Sequence, residues 1–344
     1  MQDDPHVQAV NWGLRTLGHE AVIWYWSEFP KTDTASLRIG RDGNIGIKLG
    51  LQEMPYHEAF DTIWVRRRDT AQPMALTHPD DKDVVVSESE KFFDNILLRL
   101  GHAGTRWVNH PYGDYRCRNK ATQLLTAQSA GFRIPDTLIG NDIDDVRAFF
   151  ASHPQGIVHK AFAPVRWQNE DGSRTVARTS LITSAHLASE FAVRACPGIY
   201  QEKIDKQYEL RVTVVGDTVF AAKIDSQRDG STIDWRCEGG RGITNLSMAA
   251  LPPEIAGRCL AVCRELGLSF GCIDLIVTPE GETIFLEINC AGQFLFNELA
   301  DPRMPMLDVF CHYLAGQERG ATPRVSMQQF QAWQRSERQS LSAA

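Results

Sequence analysis

The segment from Gly271 to Asn289, GCIDLIVTPEGETIFLEIN, constrains the fold more than any other stretch of the chain. Two runs rich in β-branched and aromatic residues flank Pro279-Glu280-Gly281-Glu282, the pattern of an antiparallel hairpin. A two-residue turn at Glu280-Gly281 sets Asp274 directly opposite Glu287. Side chains alternate along a strand, so Ile273, Leu275 and Val277 share a face with Ile284, Leu286 and Ile288, and that apolar face demands a core. Asp274, Glu287 and Asn289 are left together on the other face. Two carboxylates opposed across a strand pair have Cβ atoms roughly 5 Å apart and repel each other, so a positive charge belongs between them. A divalent metal is the simplest candidate. The donors are all oxygen, which selects a hard cation such as Mg2+ over Zn2+ or copper, and Mg2+ is usually held by carboxylates together with substrate phosphates. A nucleotide is therefore the expected partner. The same residues also suit a solvent-facing strand pair with scattered acids, and a one-residue slip would send the carboxylates to opposite faces.

At 344 residues the chain is long enough for two or three lobes. No apolar run approaches the roughly 20 residues needed to cross a bilayer and no signal peptide opens the chain, so a cytoplasmic protein with no membrane partner is expected. A formal charge of −7 argues against broad nucleic-acid affinity while leaving room for a local basic cleft. The eight cysteines form no C-x-x-C pair and several lie in apolar runs, the usage of reduced, mostly buried thiols.

The first lobe, 1–115, reads as a helix over Pro5 to Leu17 stopped by Gly18, a strand over Ala21 to Trp26, a hairpin around Asp42-Gly43 and a strand from Thr62 to Arg66. Ser87-x-x-Glu90 reads as a capping box ahead of a helix ended by Gly101. Only Met1 to Asp4 precede the first helix, so the strand that normally opens such a lobe is missing or lies upstream. A second lobe, 116–197, carries a helix over Lys120 to Ala130, a strand at Ile134 to Ile139, a helix from Asp142 to Ser152, and strands at Gly156 to Lys160 and Thr175 to Thr183. The polar loop from Gln168 to Ser173 suits a cover for phosphates or an ordinary hairpin tip. The third lobe, 198–321, holds strands at Glu209 to Val215 and Val219 to Ser226, a helix over Pro253 to Leu266, the hairpin, and a closing helix from Asp301 to Ala315. The tail 322–344, rich in Gln, Ser and Arg, reads as weakly ordered.

In this order the features resemble the ATP-grasp superfamily, and within it the ribosomal-peptide maturases of the microviridin or graspetide type. The segments that carry the resemblance span most of the chain: DDPHVQAVNWGLRTLGHEAVIW, TIWVRR, RNKATQLLTAQSAGFRIPDTLI, GIVHKAF, YQEKIDKQYELRVTVVGDTVFAAKIDSQ, DWR and GCIDLIVTPEGETIFLEINCAGQF. The resemblance implies an α/β fold of α+β lobes, with a pre-ATP-grasp domain followed by two lobes that clamp ATP. It implies that Asp274, Glu287 and Asn289 hold Mg2+ against the phosphates, and that Lys120 and Lys160 neutralise phosphate oxygens, work that suits a compact point charge. Taken alone, each lysine reads equally as a solvated surface group. Gln201-Glu202-Lys203-Ile204 looks like the adenine hinge, with backbone groups of Glu202 and Ile204 reading the base edge. Glu209 fits the carboxylate that grips the ribose hydroxyls, or else a surface acid at a strand end, and Ile276 would floor the adenine or serve the core. Arg211, Lys223 and Arg236 are candidates to stabilise phosphate or a developing acyl-phosphate, against structural ion pairs. One departure is Cys290, where many relatives carry proline; it leaves the loop before Gly292-Gln293 less rigid.

The activity this resemblance implies is transfer of the ATP γ-phosphoryl group to an Asp or Glu side chain of a ribosomal precursor peptide, with leader and core. Attack by Ser or Thr would then close an ω-ester ring, and attack by Lys an ω-amide. Rival readings are an amino-acid ligase of the glutamate-ligase kind and an inactive scaffold that binds nucleotide and leader peptide. A homodimer is open. The run Arg66-Arg67-Arg68 suits either a contact to an acidic core peptide or a strand end with ion pairs.

Overall fold

Asp4 starts the first helix, α1 (Pro5–Thr16), by accepting the His6 N–H at 2.8 Å, and Pro5 presets the first helical φ. The chain is seen here in a computed structural model that describes all residues except 1–3, 51, 56–59, 69, 163–165, 170, 177–178, 228–245 and 344. After α1 come an antiparallel sheet of β1 (Ala35–Ile39), β2 (Ile45–Leu49) and β3 (Gln52–Pro55), then β4 (Thr62–Trp64), α2 (Lys82–Leu100) and β5 (Arg106–Val108), which pairs parallel to β4. The turn between β1 and β2 falls at Asp42-Gly43 as expected, with Gly43 at φ 81°. The strand expected over Ala21 to Trp26 does not form: residues 21–25 pair with nothing regular and Trp26–Glu28 is a 3-10 turn. Ring packing holds this stretch instead, with Trp26 and Phe93 centroids 4.5 Å apart and Trp24 Nε1 donating to Asp33 at 2.9 Å. Helix α2 begins five residues before the expected capping box, because a 3-10 turn at Pro79–Asp81, capped by His78, nucleates it upstream. Ser87 and Glu90 lie within it.

The middle of the chain holds α3 (Pro111–Arg118), α4 (Lys120–Ser129), β6 (Thr137–Gly140), α5 (Ile143–Ser152), β7 (Ile157–Lys160), β8 (Arg166–Gln168), β9 (Arg174–Val176), β10 (Ser180–Leu181), α6 (Glu190–Arg194) and β11 (Gly198–Glu202). Pro135 has no N–H to give a ladder, and β6 starts two residues after it rather than at Ile134. The expected single strand over Thr175 to Thr183 is two short ones, and the loop after Gln168 is the tip of the β8–β9 hairpin. The antiparallel sheet runs β10-β7-β11-β6, so the strand Gly198–Glu202, placed by sequence at the head of the third lobe, is hydrogen-bonded between two strands of the second.

A five-stranded antiparallel sheet follows, in the order β14-β13-β12-β15-β16, from β12 (Tyr208–Val215), β13 (Thr218–Ile224), β14 (Leu246–Ala249), β15 (Phe270–Val277) and β16 (Thr283–Asn289). Helix α7 (Pro253–Leu266) presents Cys259, Val262, Cys263 and Leu266 at helical spacing and packs them, with Leu124 and Ala127 of α4, on one face of this sheet. Leu210, Val212, Val214, Ile273 and Leu275 meet them there. Each such side chain contributes roughly 1.5–3 kcal/mol by leaving water. The other face is covered in part, by α1, α8 (Leu295–Ala300) and α9 (Met306–Ala315), where Val215, Ala222 and Phe270 join Leu307 and Phe310. Gly13 permits the close approach of α1 and α9, since a Cβ there would sit 2.7 Å from Cys311 Sγ.

The tail is not weakly ordered: α10 (Met327–Ala343) docks through Met327 and Phe330, and Glu298 accepts the Met327 N–H at 2.7 Å. Val325, Met327, Phe330 and Trp333 recur on one side, a pattern the polar composition hides. No described helix is long and apolar enough to cross a membrane, and the seven described cysteines are free thiols.

Candidate active site

The hairpin reaches its expected pairing by an unexpected route. Pro279 suits the second position of a type I turn, so the loop has three residues: Gly281 donates to the Thr278 carbonyl at 2.9 Å and sits at φ 86°, and Thr278 donates to Glu282 at 3.0 Å. The strands leave that loop with Val277 opposite Thr283, Ile276 opposite Ile284 and Leu275 opposite Phe285. Continued, this register would place Asp274 across from Leu286. A bulge between Asp274 and Leu275 absorbs Leu286 and restores Asp274 opposite Glu287 and Cys272 opposite Asn289. The apolar face differs accordingly: Phe285, not Ile284 or Leu286, packs into the core beside Ile288, and Ile284 sits opposite Ile276 on the polar face.

Asp274 and Glu287 lie where the helical cover of that face ends. Arg211, on the adjacent strand and directly opposite Asp274, donates to its Oδ1 at 2.7 Å. Lys120, the first residue of α4 after the Asn119 cap, donates to Glu287 Oε2 at 2.8 Å. The positive charge that paired carboxylates require is thus supplied here by the chain's own cations. Burial pulls the Arg211 guanidinium toward neutrality, and the charges of Asp274 and, further off, Glu287 more than reverse this and hold it protonated. A carboxylate offers two oxygens, so pairing with one cation does not exclude coordinating another, and exposed Asn289 adds an amide oxygen that accepts the Ala291 N–H at 3.1 Å. This all-oxygen donor set fits a hard divalent cation such as Mg2+.

Further along the same face, Glu209 is opposite both Ile276 and Ile224. Its buried carboxyl is raised above the ordinary range by burial, with the charge of Asp274 adding to the rise; Lys206 Nζ, 2.5 Å away, and Ser226 oppose it. Sequence reasoning missed Lys206, which sits in the irregular stretch before β12 where no periodicity marks it. The neighbouring sheet holds Lys160 at the end of β7, opposite Ile199. Gln201 donates to Thr137 Oγ1 at 3.0 Å, and Lys203 pairs with Asp205 at 2.5 Å. The Glu202 carboxylate accepts from Arg133 at 3.3 Å, and its N–H donates to the Asp136 carbonyl at 3.0 Å. Half-buried Ile204 lies in the strap from β11 to β12 that joins the two sheets.

Two candidates are not brought to this face. Lys223 is opposite Leu210, whose side chain is in the core on the reverse face, and its Nζ lies 4.3 Å from the centre of the Tyr208 ring. Arg236 lies outside the described residues, as does the rest of Asp234-Trp235-Arg236. In the loop after Asn289, where proline is absent, side chains bond the backbone. Asn109 donates to the Cys290 carbonyl at 3.0 Å, Cys290 Sγ to Asp114 at 2.9 Å, and Arg211 to the Gln293 carbonyl at 3.2 Å. Gly292 is required beneath Arg211, because a Cβ there would lie 2.8 Å from a guanidinium nitrogen.

Two sheets joined by a strap, the second presenting opposed carboxylates at its open end and both following an N-terminal lobe, make up the ATP-grasp fold. No family model and no curated protein matches the chain. Solved structures do. The macrocyclase MdnC of Microcystis aeruginosa MRC, bound with the precursor peptide MdnA, is 25% identical with a TM-score of 0.80, over 92% of this chain and 97% of that one. A RiPP-associated ATP-grasp ligase of Chryseobacterium gregarium, in complex with ADP and a leader and core peptide, is 25% identical with a TM-score of 0.81, over 94% and 97% of the two chains. The ATP-grasp ligase PsnB, complexed with a minimal precursor, Mg and ADP, shares the fold at 23% identity and a TM-score of 0.68, over 92% and 95%. The chain has the ATP-grasp fold in the form that these ligases of ribosomal-peptide maturation adopt.

Proposed function

We infer that this protein is an ATP-dependent ligase that activates an Asp or Glu side chain of a ribosomal precursor peptide as an acyl-phosphate and closes ω-ester or ω-amide rings. The observation that carries the reading is the bulge-restored pairing of Asp274 with Glu287, on the same face as Glu209 and Arg211. The similarity to ligases bound to precursor peptides along nearly their whole length supports the class of substrate. Bound at this face, Mg2+ and ATP would supply the phosphoryl group and neutralise the charge spread over it. Asp274, Glu287 and Asn289 would hold the ion, Glu209 the ribose, and Ile276 the base from below. Lys120 and Lys160 would meet phosphate oxygens, and Arg211 would add its fixed charge beside the transferred group. The hinge 201–204 would set the height of the base through main-chain groups. A formal charge of −7 favours a peptide over nucleic acid as the macromolecular partner.

The test is to incubate the protein with ATP, Mg2+ and a peptide encoded beside its gene that is rich in Thr, Ser, Asp and Glu. The expected result is ADP together with loss of one water from the peptide mass per ring. A mass gain of one residue on an amino-acid acceptor would point instead to an amino-acid ligase, and nucleotide binding without ADP to a scaffold.

A further inference from the structure

The arginines at 66–68 have separate tasks. Arg68 pairs with Asp94 at the surface, at 2.7 Å, and Arg67 is partly exposed beside Asp4. Arg66 is 7% exposed and reaches out of the N-terminal lobe to donate through one nitrogen, Nη1, to the carbonyl oxygens of Ala291 and Gly292, the latter at 3.1 Å. Asp4 backs it, with Oδ2 3.3 Å from Arg66 Nε, and His6 Nε2 accepts the N–H groups of Phe294 at 3.0 Å and Leu295 at 3.3 Å. One buried cluster of the N-terminal lobe thus grips the carbonyls at the start of the 291–295 stretch and the amides at its end. That stretch begins two residues after Asn289 and delivers the Gln293 carbonyl to Arg211, which in turn holds Asp274.

We propose that Arg66 is a positioning residue for the metal edge, acting through the 290–293 loop to fix Asn289 and Arg211 relative to Asp274. The inference rests on the reading of Asp274, Glu287 and Asn289 as the Mg2+ set. Packing alone does not account for Arg66: an apolar side chain would fill the same space without leaving Nη2 buried and unpartnered. An apolar group does not hold two carbonyls. A lysine keeps the charge next to Asp4 but lacks the planar guanidinium that sets the direction of the bond to the loop.

The experiment measures ADP affinity of the full-length protein with and without Mg2+, in Arg66→Lys, Asn289→Ala and Arg67→Ala. Melting curves and Mg2+-free ADP binding serve to confirm folding. Arg66→Lys should bind ADP without Mg2+ as the parent does and lose about tenfold of the strengthening that Mg2+ brings, the usual scale for a group that orients a metal ligand. Asn289→Ala should lose at least as much, and Arg67→Ala nothing. Full Mg2+ strengthening in folded Arg66→Lys, with loss in Asn289→Ala, overturns the inference and leaves the metal set standing. Full strengthening in Asn289→Ala overturns both. Were Arg66→Lys to unfold, Arg66→Met, which removes the charge and keeps the volume, takes its place under the same criteria.

Discussion

The two faces of the five-stranded sheet share one backbone and differ in what covers them. On one, α4 and α7 lie over an apolar centre that runs from Leu210 to Phe285, with Lys223 at its margin. On the other, cover from α1, α8 and α9 reaches Cys272 on β15 and Ile224 on β13, and beyond it Asp274, Arg211, Glu209 and Glu287 come together beside Ile276 and Ile284. Three of these four are buried, so the open end is not an ordinary wet face. A sheet that has hydrophobic cover along only part of one face can place charged groups in a low-dielectric setting, where their fields act strongly on a ligand.

The largest expected effect tests that division directly. Asp274→Asn keeps the shape of the site but removes the charge that opposes Arg211, and turnover to ADP should fall about 100-fold or more. Its neighbour on the covered face, Leu275→Ala, should instead destabilise the fold by about 2–5 kcal/mol while folded molecules retain their turnover. Denaturant melts and ADP release, measured on both variants, check the pair. A similar loss of turnover per folded molecule in both would show that the faces are not separable.

A smaller effect belongs to the seam where covered and open ends meet. Burial lowers the His6 pKa from its ordinary 6.5, with Asp4 pulling it back up and Arg66 and Arg67 pushing it further down. His6 is therefore neutral in the fold, consistent with Nε2 accepting the Phe294 and Leu295 N–H groups. On acidification the unfolded chain takes up the proton first, so this contribution to stability is complete above 6.5 and is lost as pH falls below it. The slope is about 1.4 kcal/mol per pH unit for one proton. Urea melts between about pH 5 and pH 7 should show it, and His6→Gln, whose amide oxygen accepts an N–H without titrating, should flatten that part of the profile.

Much of this architecture is legible in the sequence, though not all for the reasons that suggest themselves. Asp274 and Glu287 are predicted as a pair from a two-residue turn, and they pair because a longer loop and a bulge cancel. Helices with a strong stripe and clear ends, such as α7 before Gly267, are read to the residue. What stays hidden depends on tertiary packing: the aromatic cluster that replaces a strand at Trp24 and Trp26, and the docking of α10 through a few apolar residues in a polar tail. Arg66 is indistinguishable from Arg67 and Arg68 in sequence, because only the fold brings Asp4 and the 291–292 carbonyls to it.

Lys223 provides the smallest expected effect and the sharpest check on strand parity. It sits beside Ala222 and Ile224, which face the site side, and an odd offset from them sends its side chain to the Tyr208 ring. A cation over an aromatic face at a partly exposed site contributes about 0.5–1 kcal/mol, so Lys223→Met should lower stability slightly and change ADP formation less than about threefold. Lys120→Met, which removes the cation held by Glu287 on the site face, should lower it by at least about tenfold under the same conditions. A collapse of turnover in Lys223→Met with an unchanged melting curve would mean that β13 presents this lysine to the nucleotide, and the assignment of the two faces along that strand would have to be reversed.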